Sequence, residues 1–290
     1  MSGPSKLGLA SSLRGTRVSA ARPAVVVTDL DGTLWDATLR VGPRTRAAVH
    51  ALADAGVPVL AATARRPRGA RELLAANGLE LPIVGLNGAM GRHAGGAAFH
   101  DEVFRPRDAL AAYDAFARHG LSPCVYVGEP DVDVVLGPAP STHPDHIAYL
   151  RPVARVDQDL EGVVRSSAVY GLAVVGLPPA KLEPAAAALR AAGIAHDLAP
   201  EPLLPGWGVN AMPPGISKWV GIEAFCAASG IASDTVLAVG DGTNDVAMLE
   251  AAARPVVVAG SRAAARVPGA EAIEPPERDG WAELAARVLG

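Results

Sequence analysis

Two aspartates stand two residues apart in the segment Val27-Thr-Asp29-Leu-Asp31-Gly-Thr-Leu, directly after an apolar, β-branched run. In open α/β sheets, ligands bind beyond the carboxyl ends of the strands, so a buried strand that ends here would present both carboxylates to a ligand. One carboxylate can bind a hard cation or attack phosphorus, and the other can protonate a leaving oxygen and then activate water. An exposed Asp-Gly turn is the alternative. The spacing favours the functional interpretation.

A second acidic segment follows another apolar run. Asp241, Asn244 and Asp245 fall within five positions, where a strand pattern gives way to a helix pattern. Carboxylate oxygens are the ligands that Mg²⁺ prefers, and neighbouring polar groups orient such ligands. Helix capping is the alternative, but a cap requires one such residue. The segment therefore predicts a magnesium site to which Asp241 and Asp245 contribute.

Three further polar residues could bind an anion. Thr63 ends an apolar run, so its hydroxyl could donate to a phosphoryl oxygen, with helix capping as the alternative. Lys218 begins a helix pattern, an unfavourable place for a cation unless an anion also binds there; an exposed lysine is the alternative. Arg65 is either an anion contact or a surface charge. Together with the aspartates, these groups form a complete set for phosphoryl transfer.

The elements that must position these residues alternate between strand and helix patterns. This alternation predicts an α/β fold with a Rossmann-like parallel sheet. Strand patterns cover 23–29, 57–63, 82–85, 235–239 and 255–259. Helix patterns cover 43–55, 69–77, 216–228, 244–253 and 281–289.

The middle of the chain has a different pattern and is predicted to be an inserted α/β unit over residues 90–205. It begins with a hairpin signature at 91–96, and it carries helix patterns at 106–119 and 179–192. Strand patterns occur at 132–136, 169–175 and 196–198. Residues 23–89 and 206–290 then form the core, and residues 1–22 are predicted to be a disordered tail. His143-Pro-Asp-His146 is predicted to be a solvated loop rather than a metal site, because no further ligand is evident and Pro144 disfavours a helix.

Composition restricts the partners. The net charge of −4 argues against nucleic acid as a main partner, because phosphate backbones recruit basic surfaces. No stretch reaches the roughly 18 apolar residues that a bilayer span needs, so no membrane partner is expected. The two cysteines lack CxxC spacing, which fits a cytoplasmic location. The first 22 residues lack a secretory signal; an Arg/Ser-rich transit peptide and the oligomeric state are left open.

The two acidic motifs resemble those of the haloacid dehalogenase-like (HAD) superfamily, and more closely those of its Cof-type sugar-phosphate phosphatases. The resemblance extends over residues 23–290 and includes the run Leu86-Asn-Gly-Ala89, which in that family precedes a large inserted cap. It implies a HAD core with an α/β cap over residues 90–205 that determines substrate specificity. It also implies a Mg²⁺-dependent phosphatase acting on a small phosphorylated metabolite.

The resemblance also implies a role for each residue singled out above. Asp29 would be the nucleophile and Asp31 the general acid and base. The phosphoryl group would be held by Thr63, Lys218 and Asn244. The magnesium site would comprise Asp29, the backbone carbonyl of Asp31, Asp241 and Asp245.

Two other classes of function are compatible with this fold. A phosphotransferase or phosphomutase would use the same residues, with an acceptor hydroxyl in place of water. A non-catalytic binding protein on this fold would typically have lost a catalytic carboxylate, whereas all four aspartates are present here.

Overall fold

The computed structural model describes residues 22–201 and 203–290, so the predicted tail lies outside the described residues except for Arg22. The strands are β1 (Val25–Thr28), β2 (Val59–Ala62), β3 (Ile83–Gly85), β4 (Met90–Arg92), β5 (Ala98–Asp101), β6 (Cys124–Glu129), β7 (Val132–Leu136), β8 (Ala154–Val156), β9 (Val169–Leu177), β10 (Ala195–Pro200), β11 (Trp207–Met212), β12 (Val236–Gly240), β13 (Arg254–Val258) and β14 (Glu271–Ile273). The helices are α1 (Pro43–Asp54), α2 (Pro67–Ala76), α3 (Pro106–Ala117), α4 (Pro144–Leu150), α5 (Leu160–Ser166), α6 (Pro179–Ala191), α7 (Lys218–Ser229), α8 (Val246–Ala251) and α9 (Ala282–Leu289).

The larger sheet has eight strands in the order β14-β13-β12-β1-β2-β3-β4-β5. Its strands from β14 to β3 pair in parallel, and the β4–β5 hairpin continues the sheet in antiparallel fashion. Both faces of the central strand β1 are buried, since Val26 packs in one hydrophobic cluster and Val25 and Val27 pack in another. Burial on both faces explains why β1 is a continuous apolar run. The predicted fold class is confirmed.

The smaller sheet has six strands in the order β10-β11-β9-β6-β7-β8. All of its strand pairs are antiparallel except β7 with β8. One face packs against α3, α5 and α6 through a cluster that includes Phe116 and Leu189. On the other face, Tyr126 and Val175 pack in a cluster with Leu86, which directly follows strand β3 of the larger sheet. The smaller sheet therefore packs over one end of the larger one.

The two sheets do not divide the chain at the predicted ends of the insertion, residues 90 and 205. The hairpin β4–β5 extends the larger sheet, because β4 pairs with β3 in the register Val84↔Gly91. Strand β11 belongs to the smaller sheet, because it pairs with both β10 and β9. By sheet membership the insertion would run from about residue 102 to 212. The division into a core and a cap remains a prediction.

The segment around His143 and His146 is a helix, so the prediction of a loop there is wrong. Pro144 is the first residue of α4, a position where its missing N–H would have no intrahelical partner. His143 caps this helix, since its Nδ1 accepts a hydrogen bond from the backbone N–H of Asp145 (3.3 Å). Helix α4 brings His146 and Tyr149 into the lining of the cavity described below. Within the described part of the chain, no helix is both long and apolar enough to span a bilayer.

Candidate active site

The predicted site residues meet at the carboxyl end of the larger sheet. Asp29, Thr63 and Asp241 each directly follow a strand, namely β1, β2 and β12, and these three strands are neighbours in the sheet. Asp29, Asp31, Thr63, Asp241 and Asn244 all line one cavity of about 360 Å³. Lys218 and Asp245 are buried, and Lys218 joins Asp245 to Asp29. The structure therefore brings all seven predicted site residues together.

Lys218 is the buried centre of the site. It is 1% exposed, which removes the alternative of a surface lysine. Its Nζ donates to Oδ1 of Asp29 (2.5 Å) and to Oδ1 of Asp245 (2.6 Å). Burial lowers the pKa of this ammonium group, but the attraction of Asp245 and Asp29 outweighs burial and raises the pKa overall. The result is a fixed positive charge between two carboxylates.

Asp29 has one carboxylate oxygen engaged and one available. Oδ1 accepts from Lys218, whereas Oδ2 has no hydrogen-bond partner among the described residues. The end of β1 is fixed by the buried Thr28, whose hydroxyl donates to the carbonyl oxygen of Asp29 (2.6 Å) and accepts from the Trp281 indole (3.0 Å). Burial raises the pKa of the Asp29 carboxyl, Lys218 lowers it, and the other carboxylates raise it again. A cation bound here would offset the repulsion among these groups.

Three carboxylates form a group that could hold that cation. Asp29, Asp241 and Asp245 each offer an oxygen, and these oxygens lie within 4.8 Å of one another. Burial, followed by the charge of Asp245, raises the pKa of Asp241 to about 6. Three negative charges and the one positive charge of Lys218 leave a charge of −2. This donor set and charge fit a hard divalent cation such as Mg²⁺.

Asp245 is the most enclosed of the three, at 0% exposure. Its Oδ2 accepts from the backbone N–H groups of Asp241 (3.0 Å) and Gly242 (2.7 Å), and its Oδ1 accepts from Lys218. A Cβ at Gly240 would lie 2.6 Å from Oδ2, so the close approach of this carboxylate requires glycine. Asp245 therefore holds both the turn that carries Asp241 and the ammonium that binds Asp29.

Asp31 is fixed by Arg65, a contact that the sequence analysis did not find. The Nε of Arg65 donates to Oδ2 of Asp31 (2.6 Å) and its Nη2 donates to Oδ1 (2.7 Å). The Trp35 indole N–H also donates to Oδ1 (3.0 Å). A bidentate Arg–carboxylate pair fixes the plane of the carboxylate as well as its position. Arg65 is thus neither a free anion contact nor a surface charge.

Thr63 and Asn244 complete the floor of the cavity. The Thr63 hydroxyl accepts from the backbone N–H of Arg65 (3.1 Å), which leaves its own proton available to a ligand. The side-chain amide of Asn244 donates to Oδ1 of Asn87 (3.0 Å). A Cβ at Gly88 would lie 2.0 Å from the carbonyl oxygen of Ser217, so glycine lets this loop pack against the start of α7. This contact explains why Leu86-Asn-Gly-Ala89 is a distinctive sequence run.

The opposite wall of the cavity carries two acidic residues that the sequence analysis did not single out. Asp197 and Glu201 line it from strand β10 and the residue after it. Burial raises the pKa of both carboxyls, and for Glu201 the charges of Asp197 and Asp31 raise it further, to about 7. Asp197 also accepts from the Thr243 hydroxyl (3.2 Å). Asp197 and Glu201 are four residues apart, a separation that places both side chains on the same face of a strand. The sequence could therefore have indicated that they point in the same direction.

Comparison with known proteins identifies the class. The family model for haloacid dehalogenase-like hydrolases matches residues 26–143 and 205–267. A phosphoglycolate phosphatase from Methanoculleus marisnigri is 25% identical over 234 residues, which cover 80% of this chain and 82% of that protein. A phosphatase of the haloalkanoate enzyme superfamily from Bacteroides thetaiotaomicron has the same fold, with 19% identity, a TM-score of 0.75, and coverage of 96% of this chain and 99% of its own. A haloacid dehalogenase-like hydrolase from B. subtilis does so with 17% identity, a TM-score of 0.77, and coverage of 91% and 99%.

The chain therefore belongs to the haloacid dehalogenase-like hydrolases, since the family model matches more than half of it. The family resemblance drawn from the motifs around Asp29 and Asp241 is confirmed, and so is the predicted enzyme class, a phosphatase of this superfamily.

The raised pKa of Glu201 leads to a stability prediction. A pKa of about 7 in the folded state and 4.5 in the unfolded state means that the folded chain binds this proton more tightly. The carboxyl therefore destabilises the fold progressively as pH rises from about 4.5 to 7, and fully above that range. Glu201→Gln is expected to raise the free energy of unfolding by about 1–3 kcal/mol near pH 8 and by much less near pH 5.

Urea denaturation of the wild-type and variant proteins at the two pH values measures this difference. Glu183→Gln, at an exposed position of α6, is the control and should change stability little at either pH. A gain from Glu201→Gln that is equal at both pH values would contradict the assigned cause.

Proposed function

We propose that this chain is a Mg²⁺-dependent phosphatase that hydrolyses a small phosphomonoester through an aspartyl-phosphate intermediate on Asp29. The observation that carries the proposal is the state of the Asp29 carboxylate. One of its oxygens is held by the buried Lys218, and the other has no partner among the described residues and lies at a cavity that also contains Asp31 and Asp241. The phosphoglycolate phosphatase relative supports the reaction class.

The first step forms a bond between Oδ2 of Asp29 and phosphorus. The bond from phosphorus to the leaving oxygen breaks, and that oxygen takes a proton from Asp31. Arg65 and Trp35 hold the Asp31 carboxylate in one place. To carry the proton, one of its oxygens must turn from these donors to the leaving oxygen. In the second step Asp31 accepts a proton from water as the water oxygen attacks phosphorus, which releases inorganic phosphate and regenerates Asp29.

The phosphoryl oxygens would be held by Thr63, Lys218 and Asn244. The hydroxyl proton of Thr63 and the ammonium of Lys218 place hydrogen-bond donors at the end of β2 and the start of α7. These donors are fixed by the fold before substrate binds, which is where electrostatic catalysis gains most of its effect. The approach of a phosphate dianion to Asp29 is otherwise opposed by the carboxylates around it.

Magnesium would be held by Asp29, the backbone carbonyl of Asp31 and Asp241, with Asp245 in support. When bound, it supplies the positive charge that offsets repulsion between the phosphate and the carboxylates. Asp245 keeps Asp241 in place through the backbone N–H that it accepts, and it keeps Lys218 charged. Asp245 is thereby a residue that positions the ligands, because both of its oxygens already have protein partners.

The leaving group would occupy the rest of the cavity, beneath the smaller sheet. Its volume of about 360 Å³ suits a small metabolite. Residues of the predicted cap, such as Tyr126 and Glu201, line this part, whereas the phosphoryl site lies on the larger sheet. We therefore assign substrate specificity to the insertion and the chemistry to the core.

Release of inorganic phosphate from a panel of phosphomonoesters tests the proposal. Activity is expected with Mg²⁺, should disappear in excess EDTA, and should return when Mg²⁺ is restored. Ca²⁺ should substitute poorly, because its larger and looser coordination sphere misplaces the attacking oxygen. Asp241→Asn should lower activity at limiting Mg²⁺ by about 100-fold or more.

The matched control is Asp234→Asn. Asp234 is exposed and precedes β12, whereas Asp241 follows the same strand at its other end. This control should leave activity and its Mg²⁺ dependence unchanged. Unchanged phosphate release in excess EDTA would refute the metal site. Transfer of phosphate to an added alcohol in preference to water would identify a phosphotransferase.

A further inference from the structure

The β10–β11 hairpin forms a wall of the cavity opposite the phosphoryl site. In its register Asp197 pairs with Asn210, and Ala199 pairs with Gly208. Because side chains alternate along a strand, Asp197, Ala199 and Glu201 share one face with the two partner positions. All five residues line the cavity. The face that closes over the leaving group therefore carries two carboxyl groups and an amide.

Of the two carboxyl groups on this face, Glu201 is the less satisfied, since Asp197 accepts from the Thr243 hydroxyl. Its side chain has no hydrogen-bond donor and no cation within 4 Å among residues 22–201 and 203–290. It is nevertheless accommodated closely, because a Cβ at Gly208 would lie 2.0 Å from its Oε1. Glycine at position 208 thus leaves the space that this carboxylate fills. A carboxylate held in a cavity without a partner costs stability, and such groups concentrate at functional sites.

The charges around Glu201 indicate which ligand it can accept. Its nearest charged neighbours are Asp197 and Asp31, which are acidic, and Arg65. The guanidinium of Arg65 is already bound by Asp31 through two hydrogen bonds. The end of the cavity at Glu201 therefore offers carboxylate acceptors without an unpaired cation beside them, whereas Arg262, which also lines the cavity, acts on Asp197 and Asp241. Hydroxyl groups can donate to these acceptors, whereas a second anionic group would be repelled.

We propose that Glu201 is a specificity-determining residue that accepts hydrogen bonds from the hydroxyl groups of a neutral polyol leaving group and excludes phosphorylated carboxylic acids. This inference rests on the proposed phosphatase function. It separates the chain from one relative, the phosphoglycolate phosphatase, whose name gives a phosphorylated acid as its substrate. Gly208 acts with Glu201 by leaving the space that the carboxylate fills.

Two pairs of esters that differ only in replacement of a terminal CH₂OH by a carboxylate test the proposal directly. They are glycerol 3-phosphate with 3-phosphoglycerate, and sorbitol 6-phosphate with 6-phosphogluconate. With Mg²⁺, the wild-type protein should favour the alcohol of at least one pair by about tenfold or more in kcat/KM. Glu201→Gln should reduce that preference by about tenfold, because it lowers kcat/KM for the alcohol and raises it for the acid.

Gly208→Ala is the second variant, because the added methyl group must displace the Glu201 carboxylate. It should shift the preference in the same direction as Glu201→Gln. Glu183→Gln on the exposed face of α6 is the control and should keep the wild-type preference. Circular dichroism establishes that each variant is folded. The preference is a ratio of two kcat/KM values measured on the same protein sample, so it does not depend on the fraction of active protein.

The outcomes separate this inference from the function on which it rests. Hydrolysis of p-nitrophenyl phosphate, which has no hydroxyl groups to recognise, reports the phosphoryl chemistry alone. If the wild-type protein hydrolyses it but treats both members of each pair equally or prefers the acids, the inference about Glu201 is overturned and the phosphatase function stands. An unchanged preference in Glu201→Gln also overturns it. Absence of phosphate release from every ester overturns both.

Discussion

Replacement of Asp29 by Asn is expected to lower the rate of phosphate release by at least about 10³-fold while the fold stays intact. An amide oxygen can still accept from Lys218, so the hydrogen bond that fixes this side chain is retained. An amide cannot form the acyl phosphate, and the variant loses the oxygen that would attack phosphorus. Because burial and neighbouring carboxylates raise the pKa of Asp29, loss of its charge should leave the melting temperature equal or higher.

The measurement combines steady-state phosphate release with mass spectrometry of acid-quenched protein. A phosphoryl adduct should form on the wild-type protein and be absent from Asp29→Asn. Asp234→Asn, at the far end of β12, should behave as the wild-type protein in both assays. Retention of a tenth of the wild-type rate by Asp29→Asn would rule out covalent catalysis by this residue.

Replacement of Lys218 by Met is expected to affect stability and activity together. The methionine retains most of the apolar stem but leaves Asp29 and Asp245 buried without their shared cation. Removal of one partner from a buried ion pair costs about 3–5 kcal/mol. Loss of the charge that would hold a phosphoryl oxygen should lower kcat/KM by about 100-fold or more.

Chemical denaturation and phosphate release at saturating Mg²⁺ measure the two effects. Lys181→Met is the matched control, since Lys181 also lies in the first turn of a helix but is exposed. It should change the free energy of unfolding by less than about 0.5 kcal/mol. A Lys218→Met protein as stable and as active as the control would show that the ion pairs to Asp29 and Asp245 contribute nothing to either property.

The positions of several candidate site residues could be predicted because they depend on local sequence. A parallel strand that is buried on both faces must be a continuous apolar run, so the runs before Asp29, Thr63 and Asp241 indicated β1, β2 and β12 directly. A general rule about where ligands bind to such sheets then placed the three residues at one edge. The structure has each of them immediately after its strand. Their chemical roles remain proposals.

The smaller sheet was less predictable, because several of its strands mix apolar and polar residues, as β8 and β10 do. The strands β6, β8 and β11 and the helix α5 were not predicted, and α4 was predicted to be a loop because of Pro144. A proline breaks a helix interior but suits its first turn, and a seven-residue helix has too few residues to show a period. The hairpin β4–β5 was recognised, but its membership of the larger sheet depends on pairing with β3, which its own residues do not specify.

The sequence by itself determined the parallel-sheet class and the local position of each predicted site residue, because strand ends and helix starts follow from runs of neighbouring residues. Only the tertiary structure decided which of these residues pair. Lys218 reaches Asp29 across 189 positions of the chain, and Arg65 binds Asp31 across 34. The tertiary structure also decides that Glu201 faces the cavity, because β10 and β11 close over the ends of β1 and β12. Such contacts depend on strand order and packing, which are properties of the whole chain.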